Sequence, residues 1–110
     1  YEIMPSLVGS EMCIRDSWYT GQFRRITEAV QGGTYRMLIL DELLSCISCG
    51  FLSEETVLAF LDSRPENLEV VMTGRNPSPA LAERADYLTE MCLRKHPYEA
   101  GISARKGIEY

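Results

Sequence analysis

A chain of 110 residues has room for one domain and one hydrophobic core. With 45% hydrophobic and 25% charged residues its balance is that of an ordinary globular protein, and no apolar run approaches the roughly 20 residues that span a bilayer. The formal net charge of −5 argues against nucleic acid as the main partner, because phosphate backbones need a basic surface; Arg94, Lys95, Arg105 and Lys106 gather near the C-terminus and leave room for a local anion site.

Residues 1–17 show no sustained period of 2 or 3.6. They lack the basic start and apolar run of a secretory signal, and they resemble translated sequencing-adapter sequence. They are expected to be a poorly packed, non-native or disordered leader, with the domain itself covering 18–110. Trp18 to Gln31 reads as a helix with Phe23, Ile26, Ala29 and Val30 on one face, stopped by Gly32-Gly33. Arg36 to Leu40 is a short continuous apolar run of the kind found in a strand buried on both faces. Asp41-Glu42 ends it, and Glu42 to Ile47 reads as a short helix closed near Gly50.

Ser53 is placed to cap the next helix, with Glu54 and Glu55 suited to its positive end and Val57, Leu58, Phe60 and Leu61 as its core face. After a turn at 64–67, Leu68 to Thr73 reads as a second strand, followed at once by Gly74-Arg75. Ser78-Pro79 is an N-cap with proline at the first helical position. Tyr87 to Cys92 reads as a third strand, and 95–110 as an ordered loop with short extended pieces. Strands alternating with helices imply an α/β fold, with βαβ units, a parallel sheet flanked by helices and right-handed crossovers.

Three stretches carry chemistry. In open α/β sheets ligands sit at the carboxyl ends of the strands. An apolar strand ending in Asp41-Glu42 puts hard oxygen donors there, the Walker B arrangement for Mg²⁺, although the same two acids could simply open a helix. Thr73-Gly74-Arg75 offers close backbone approach and a planar fork for phosphate, or an ordinary strand-to-loop turn. The tail runs KHPYEAGISARKGIEY, and by spacing alone it has no assigned role. Cys46-x-x-Cys49 has no second such pair, so two buried small side chains are expected rather than structural zinc. The four cysteines read as reduced thiols of a cytoplasmic protein.

The succession LDE, TGR, ADYLTE and the tail block resembles the P-loop corrinoid adenosyltransferases, also called cob(I)yrinic acid a,c-diamide adenosyltransferases, over about residues 20–110. The resemblance implies a P-loop nucleotide-hydrolase-like (RecA-like) fold, here N-terminally truncated. It implies use of MgATP and of a corrinoid, cob(I)alamin or cob(I)yrinic acid a,c-diamide. Co(I) would attack the 5′ carbon of ATP and release triphosphate, in cobalamin biosynthesis or salvage. By the same resemblance Glu42, with Asp41 beside it, is the metal carboxylate. Thr73, Gly74 and Arg75 face the nucleotide, and Lys95 and His96 match the family's Lys-His pair at the nucleotide site. A homodimer and a flavoprotein reductase partner are implied too, with no role for nucleic acid or membrane. The family's glycine-rich G-x-x-x-x-G-K-[ST] loop does not occur in these residues, nor does its aromatic segment that displaces the lower axial ligand of cobalt. The isolated chain is therefore expected to be inactive. The alternative readings are a catalytically silent α/β fragment with weak nucleotide or partner binding, and a P-loop kinase or ATPase relative.

Overall fold

The computed structural model describes residues 12–110. The first helix, α1 (Met12–Gln31), begins upstream of Trp18, where sequence periodicity had placed its start. No proline or glycine interrupts the chain between Met12 and Trp18, and extending an existing helix needs far less than nucleating one. The leader expectation for residues 1–11 lies outside the described residues. Helix α1 stops where expected: Gly33 takes φ 77° and its N–H donates to the Val30 carbonyl at 3.3 Å.

Strand β1 (Met37–Leu40), helices α2 (Leu43–Ser48) and α3 (Glu54–Ser63), and strand β2 (Glu69–Met72) follow, then helix α4 (Pro79–Arg84). The two strands pair in parallel, with Met37 opposite Glu69 and Leu40 opposite Met72. A parallel pair needs a long crossover, and α2 and α3 supply it. The result is an α/β fold with a small parallel sheet and helices packed on it.

Capping fixes the helix starts. Ser53 accepts from the Thr56 N–H at 3.2 Å, and Glu54 and Glu55 sit in the first turn of α3. Ser78 accepts from the Leu81 N–H at 3.2 Å, with Pro79 opening α4. The Ser78 hydroxyl also donates to Glu54, tying the starts of α3 and α4 together. Arg84 and Asp62 pair at 2.7 Å across the same two helices.

The core joins all the helices to one sheet face. Phe23 and Val30 from α1, Leu43 and Leu44 from α2, Val57, Phe60 and Leu61 from α3 and Leu81 from α4 are buried with Leu40, Leu52 and Leu68. Phe23 and Phe60 meet edge to face at 5.7 Å. Leu38, Val70 and Met72 pack against this cluster from the strands.

Four expectations need correction. The strand at 36–40 is not buried on both faces: Met37 is 56% and Ile39 62% exposed. Side chains alternate along a strand, and the helices cover the Leu38–Leu40 side. On α1, Phe23 and Val30 are buried in the shared core, Phe23 against Phe60 of α3, whereas Ile26 and Ala29, on the rest of the expected apolar face, are exposed. Tyr87 to Cys92 is not a strand. A strand is defined by its ladder, β1 and β2 pair with each other, and residues 87–92 make no backbone hydrogen bond to the sheet among those described. Tyr87 is 92% and Met91 95% exposed. The tail is ordered by turns rather than extended pieces, with a 3₁₀ turn at Pro97–Ala100 and a closed turn between Arg105 and Tyr110.

Candidate functional site

The parallel register places Leu40 and Met72 side by side, so the residues that leave the sheet, Asp41 and Thr73, emerge as neighbours. The Thr73 hydroxyl donates to Asp41 Oδ1 at 2.6 Å. The Thr73 hydroxyl oxygen in turn accepts from the Glu42 N–H at 2.8 Å. Thr73 N–H donates to the Leu40 carbonyl at 3.2 Å, and the Thr73 carbonyl accepts from the Leu44 N–H at 3.3 Å. Thr73 therefore knits the end of β2 to the turn that carries both acids.

Glu42 occupies the left-handed region, at φ 58° and ψ 23°. For a residue with a Cβ this conformation costs about 1 kcal/mol or more, and it persists only where surroundings enforce it. The Thr73 acceptor and two hydrogen bonds to Ser45 do so: Ser45 Oγ donates to Glu42 Oε2 at 2.7 Å, and Ser45 N–H to the Glu42 carbonyl at 3.1 Å. Among the described residues, the other non-glycine position with positive φ is Asn76, at 53°, just beyond β2. Both strained residues thus follow strand ends.

Gly74 closes the gap between the loop and α2. Its φ is 139°, and a Cβ there would lie 2.6 Å from Leu44 Cβ. Glycine is required twice over, by its dihedral and by the space. Arg75 follows on the exposed surface.

Asp41 and Glu42 are both exposed at this edge. One oxygen of each carboxylate holds a neighbouring hydroxyl, which leaves the second oxygen of each for a cation. Hard, partly oriented carboxylate oxygens suit Mg²⁺, which keeps most of its waters and takes one or two protein carboxylates together with substrate phosphate. The donor chemistry therefore fits the metal.

Lys95 and His96 are exposed, and among the described residues no hydrogen bond or ion pair joins them to the strand ends. His96 Nδ1 instead accepts from the Tyr98 N–H at 3.0 Å and caps the 3₁₀ turn. Further along, the Arg105 guanidinium pairs with Glu109 at 2.8 Å and holds its carboxyl below the usual carboxylate range. Cys46 is half-buried and Cys49 is exposed at the end of α2, so the expectation of two buried thiols is met only in part by Cys46 and not by Cys49. Burial, reinforced by Cys49 and Glu42, pushes the Cys46 thiol up from its ordinary value.

Two surface clefts lie elsewhere. One of about 280 Å³ runs between α1 and α3, and one of about 270 Å³ between α1 and β1; neither is lined by Asp41, Glu42, Thr73, Gly74 or Arg75. The strand-end site is open. Ser45 is the member that sequence reading missed: a serine three residues after a carboxylate on a helix start is the available signal.

Comparison with known proteins identifies relatives over most of the chain. The family model for ATP:corrinoid adenosyltransferase BtuR/CobO/CobP matches residues 14–110. The corrinoid adenosyltransferase of Pseudomonas aeruginosa is 45% identical over 74 residues, 67% of this chain and 36% of that protein. A corrinoid adenosyltransferase from Sinorhizobium sp. is 35% identical over 89 residues, 80% of this chain and 42% of the relative. Corrinoid adenosyltransferase CobA of Salmonella typhimurium is 35% identical over 74 residues, 67% of this chain and 38% of its own length. The chain thus spans about two fifths of the length of these relatives.

Proposed function

Because the chain belongs to the ATP:corrinoid adenosyltransferase family, we propose that it supplies the metal-holding strand end of an enzyme that moves the 5′-deoxyadenosyl group of ATP to the cobalt of a reduced corrinoid. The observation that carries this reading is the pair of oriented carboxylates, Asp41 and Glu42, joined to the Thr73-Gly74-Arg75 turn at one sheet edge.

In this reaction the Co(I) electron pair forms the new cobalt–carbon bond, and the triphosphate leaves with the electrons of the broken carbon–oxygen bond. No proton has to be removed from the nucleophile, so a general base at Asp41 or Glu42 would have no task. Bound Mg²⁺ would neutralise charge on the triphosphate as it departs. The two carboxylates hold that ion at a fixed place relative to the strand end. Gly74 lets the backbone approach the nucleotide, and Arg75 presents a bidentate donor to its phosphates. By family resemblance, Lys95 and His96 of the tail are assigned to the same nucleotide. The substrate is cob(I)alamin or cob(I)yrinic acid a,c-diamide. A homodimer, a flavoprotein reductase and a cytoplasmic setting belong to the same reading. Among the described residues no helix is long and apolar enough to cross a membrane.

A phosphate-cradling Gly-Lys-[Ser/Thr] loop does not occur in the 110 residues. Such loops provide most of the amide contacts to nucleotide phosphates, so the chain by itself should be silent. The test is a graft: residues 14–110 replace the matching segment of the Pseudomonas aeruginosa relative, and adenosyl transfer from ATP to reduced cobalamin is followed. Turnover by the graft and none by the isolated chain is the expected outcome. A folded graft that binds ATP but transfers nothing would contradict the reading.

A further inference from the structure

We propose that Thr73 is a positioning residue: its hydroxyl aims the Asp41 carboxylate and fixes Glu42 in its left-handed turn, so that a divalent cation meets both acids already oriented. The proposal rests on the reading of Asp41 and Glu42 as the metal carboxylates.

The single hydroxyl proton of Thr73 is committed to Asp41 Oδ1 at 2.6 Å, and its oxygen accepts the Glu42 N–H at 2.8 Å. Both acids are thereby tied to one atom of a residue 32 and 31 positions away in sequence. The hydroxyl is positioned by its own backbone, which bonds to Leu40 on one side and Leu44 on the other. Gly74 then brings the loop so close to α2 that even a Cβ would collide with Leu44. Thr73 has little freedom to swing away. A side chain held in this way removes the rotamer entropy that an exposed aspartate would otherwise lose when it binds a metal. It also fixes which Asp41 oxygen faces outward, because the other is occupied by the hydroxyl.

Two substitutions separate the hydroxyl from the methyl. Thr73→Val keeps the shape and removes the donor and acceptor; Thr73→Ser keeps both and removes the methyl. Two readouts apply to the 110-residue chain, with Mn²⁺ alone as the probe. In Thr73→Val the Glu42 amide should exchange with solvent about tenfold faster, the effect of losing one hydrogen bond. The Mn²⁺ concentration that broadens the NMR signals of 41–42 should rise about 10- to 100-fold, the usual loss when the group orienting a metal ligand is removed. Thr73→Ser should keep both values near those of the parent chain. Unchanged Glu42 exchange and unchanged Mn²⁺ broadening in Thr73→Val would overturn the proposal. So would a Thr73→Ser variant whose Glu42 exchange quickens about tenfold and whose Mn²⁺ requirement rises about 10-fold or more over the parent chain, which keeps the test decisive even where the valine variant does not fold. Asp41→Asn and Glu42→Gln distinguish the underlying reading: if both broaden with Mn²⁺ like the parent while Thr73→Val still frees the Glu42 amide, the hydroxyl positions the turn and the metal assignment is what fails.

Discussion

Up to Leu81 the apolar residues of this chain close into a core, whereas from Glu83 to the C-terminus every residue is exposed. The contrast is not one of composition, since the tail carries Tyr87, Leu88, Met91, Leu93, Tyr98, Ile102, Ile108 and Tyr110. In the body, helices and a parallel strand pair give one sheet face and the inner helix faces something to pack on, while Met37 and Ile39 on the other sheet face stay exposed. In the tail beyond the Arg84–Asp62 pair, the bonds among the described residues are local: His96 to Tyr98, Gly101 to Tyr98, and Arg105 to Glu109. Apolar side chains stabilise a fold only when a second surface meets them. Residues that do not serve the core of this chain are the ones available to contact substrate or another part of a larger assembly.

Substitutions should sort the two regions sharply. Phe60→Ala empties the centre of the core where α1 and α3 meet, and it should cost about 3–5 kcal/mol in denaturant unfolding. Tyr87→Ala, at a comparably large aromatic in the tail, should stay within about 0.5 kcal/mol of the parent. Equal losses at both positions would break the comparison.

At the boundary, Gly74→Ala pushes a Cβ onto Leu44 and imposes a strained dihedral. It should destabilise the chain by roughly 1–3 kcal/mol. The change should appear in NMR at Leu44 and Thr73 while the 97–110 turns keep their shifts. A loss of about 1 kcal/mol is expected for Ser53→Ala, which removes the α3 cap; a neutral result would mean that water replaces the hydroxyl.

Thiol labelling gives the finest comparison. Burial holds the Cys46 thiol above its usual value, so at any one pH less of it is thiolate and it should alkylate more slowly than exposed Cys49 or Cys92. The gap should narrow as pH rises through the Cys46 value. Equal rates near neutrality would contradict the packing of α2.

Much of the body was legible in the sequence because its signals are local. Ser53 and Ser78-Pro79 mark helix starts, Gly33 marks a stop, and the acids after Leu40 mark a strand end. What failed depended on partners. Tyr87 to Cys92 has strand-like residues but no ladder to join, and Met37 and Ile39 have no layer above them. The upstream extension of α1 failed for another reason, since Met12 to Ser17 lack an apolar period yet contain nothing that stops a helix. The site was half legible. Asp41, Glu42 and the Thr73-Gly74-Arg75 turn could be named, but the hydroxyl joining them spans 32 residues and becomes visible only once the parallel register is known. Lys95 and His96 were named from resemblance alone, and the structure gives His96 a local capping bond.

The most direct test of the metal-holding role is a Mg²⁺ titration of initial rates in the grafted enzyme, comparing Glu42→Gln and Asp41→Asn with the parent graft. Glu42→Gln should lower turnover by about 10- to 100-fold, with part of the loss recovered at high Mg²⁺, and Asp41→Asn should act in the same direction. Parent-like rates with unchanged Mg²⁺ dependence in both variants would mean that the two acids only shape the turn, and would contradict their assignment as the metal carboxylates.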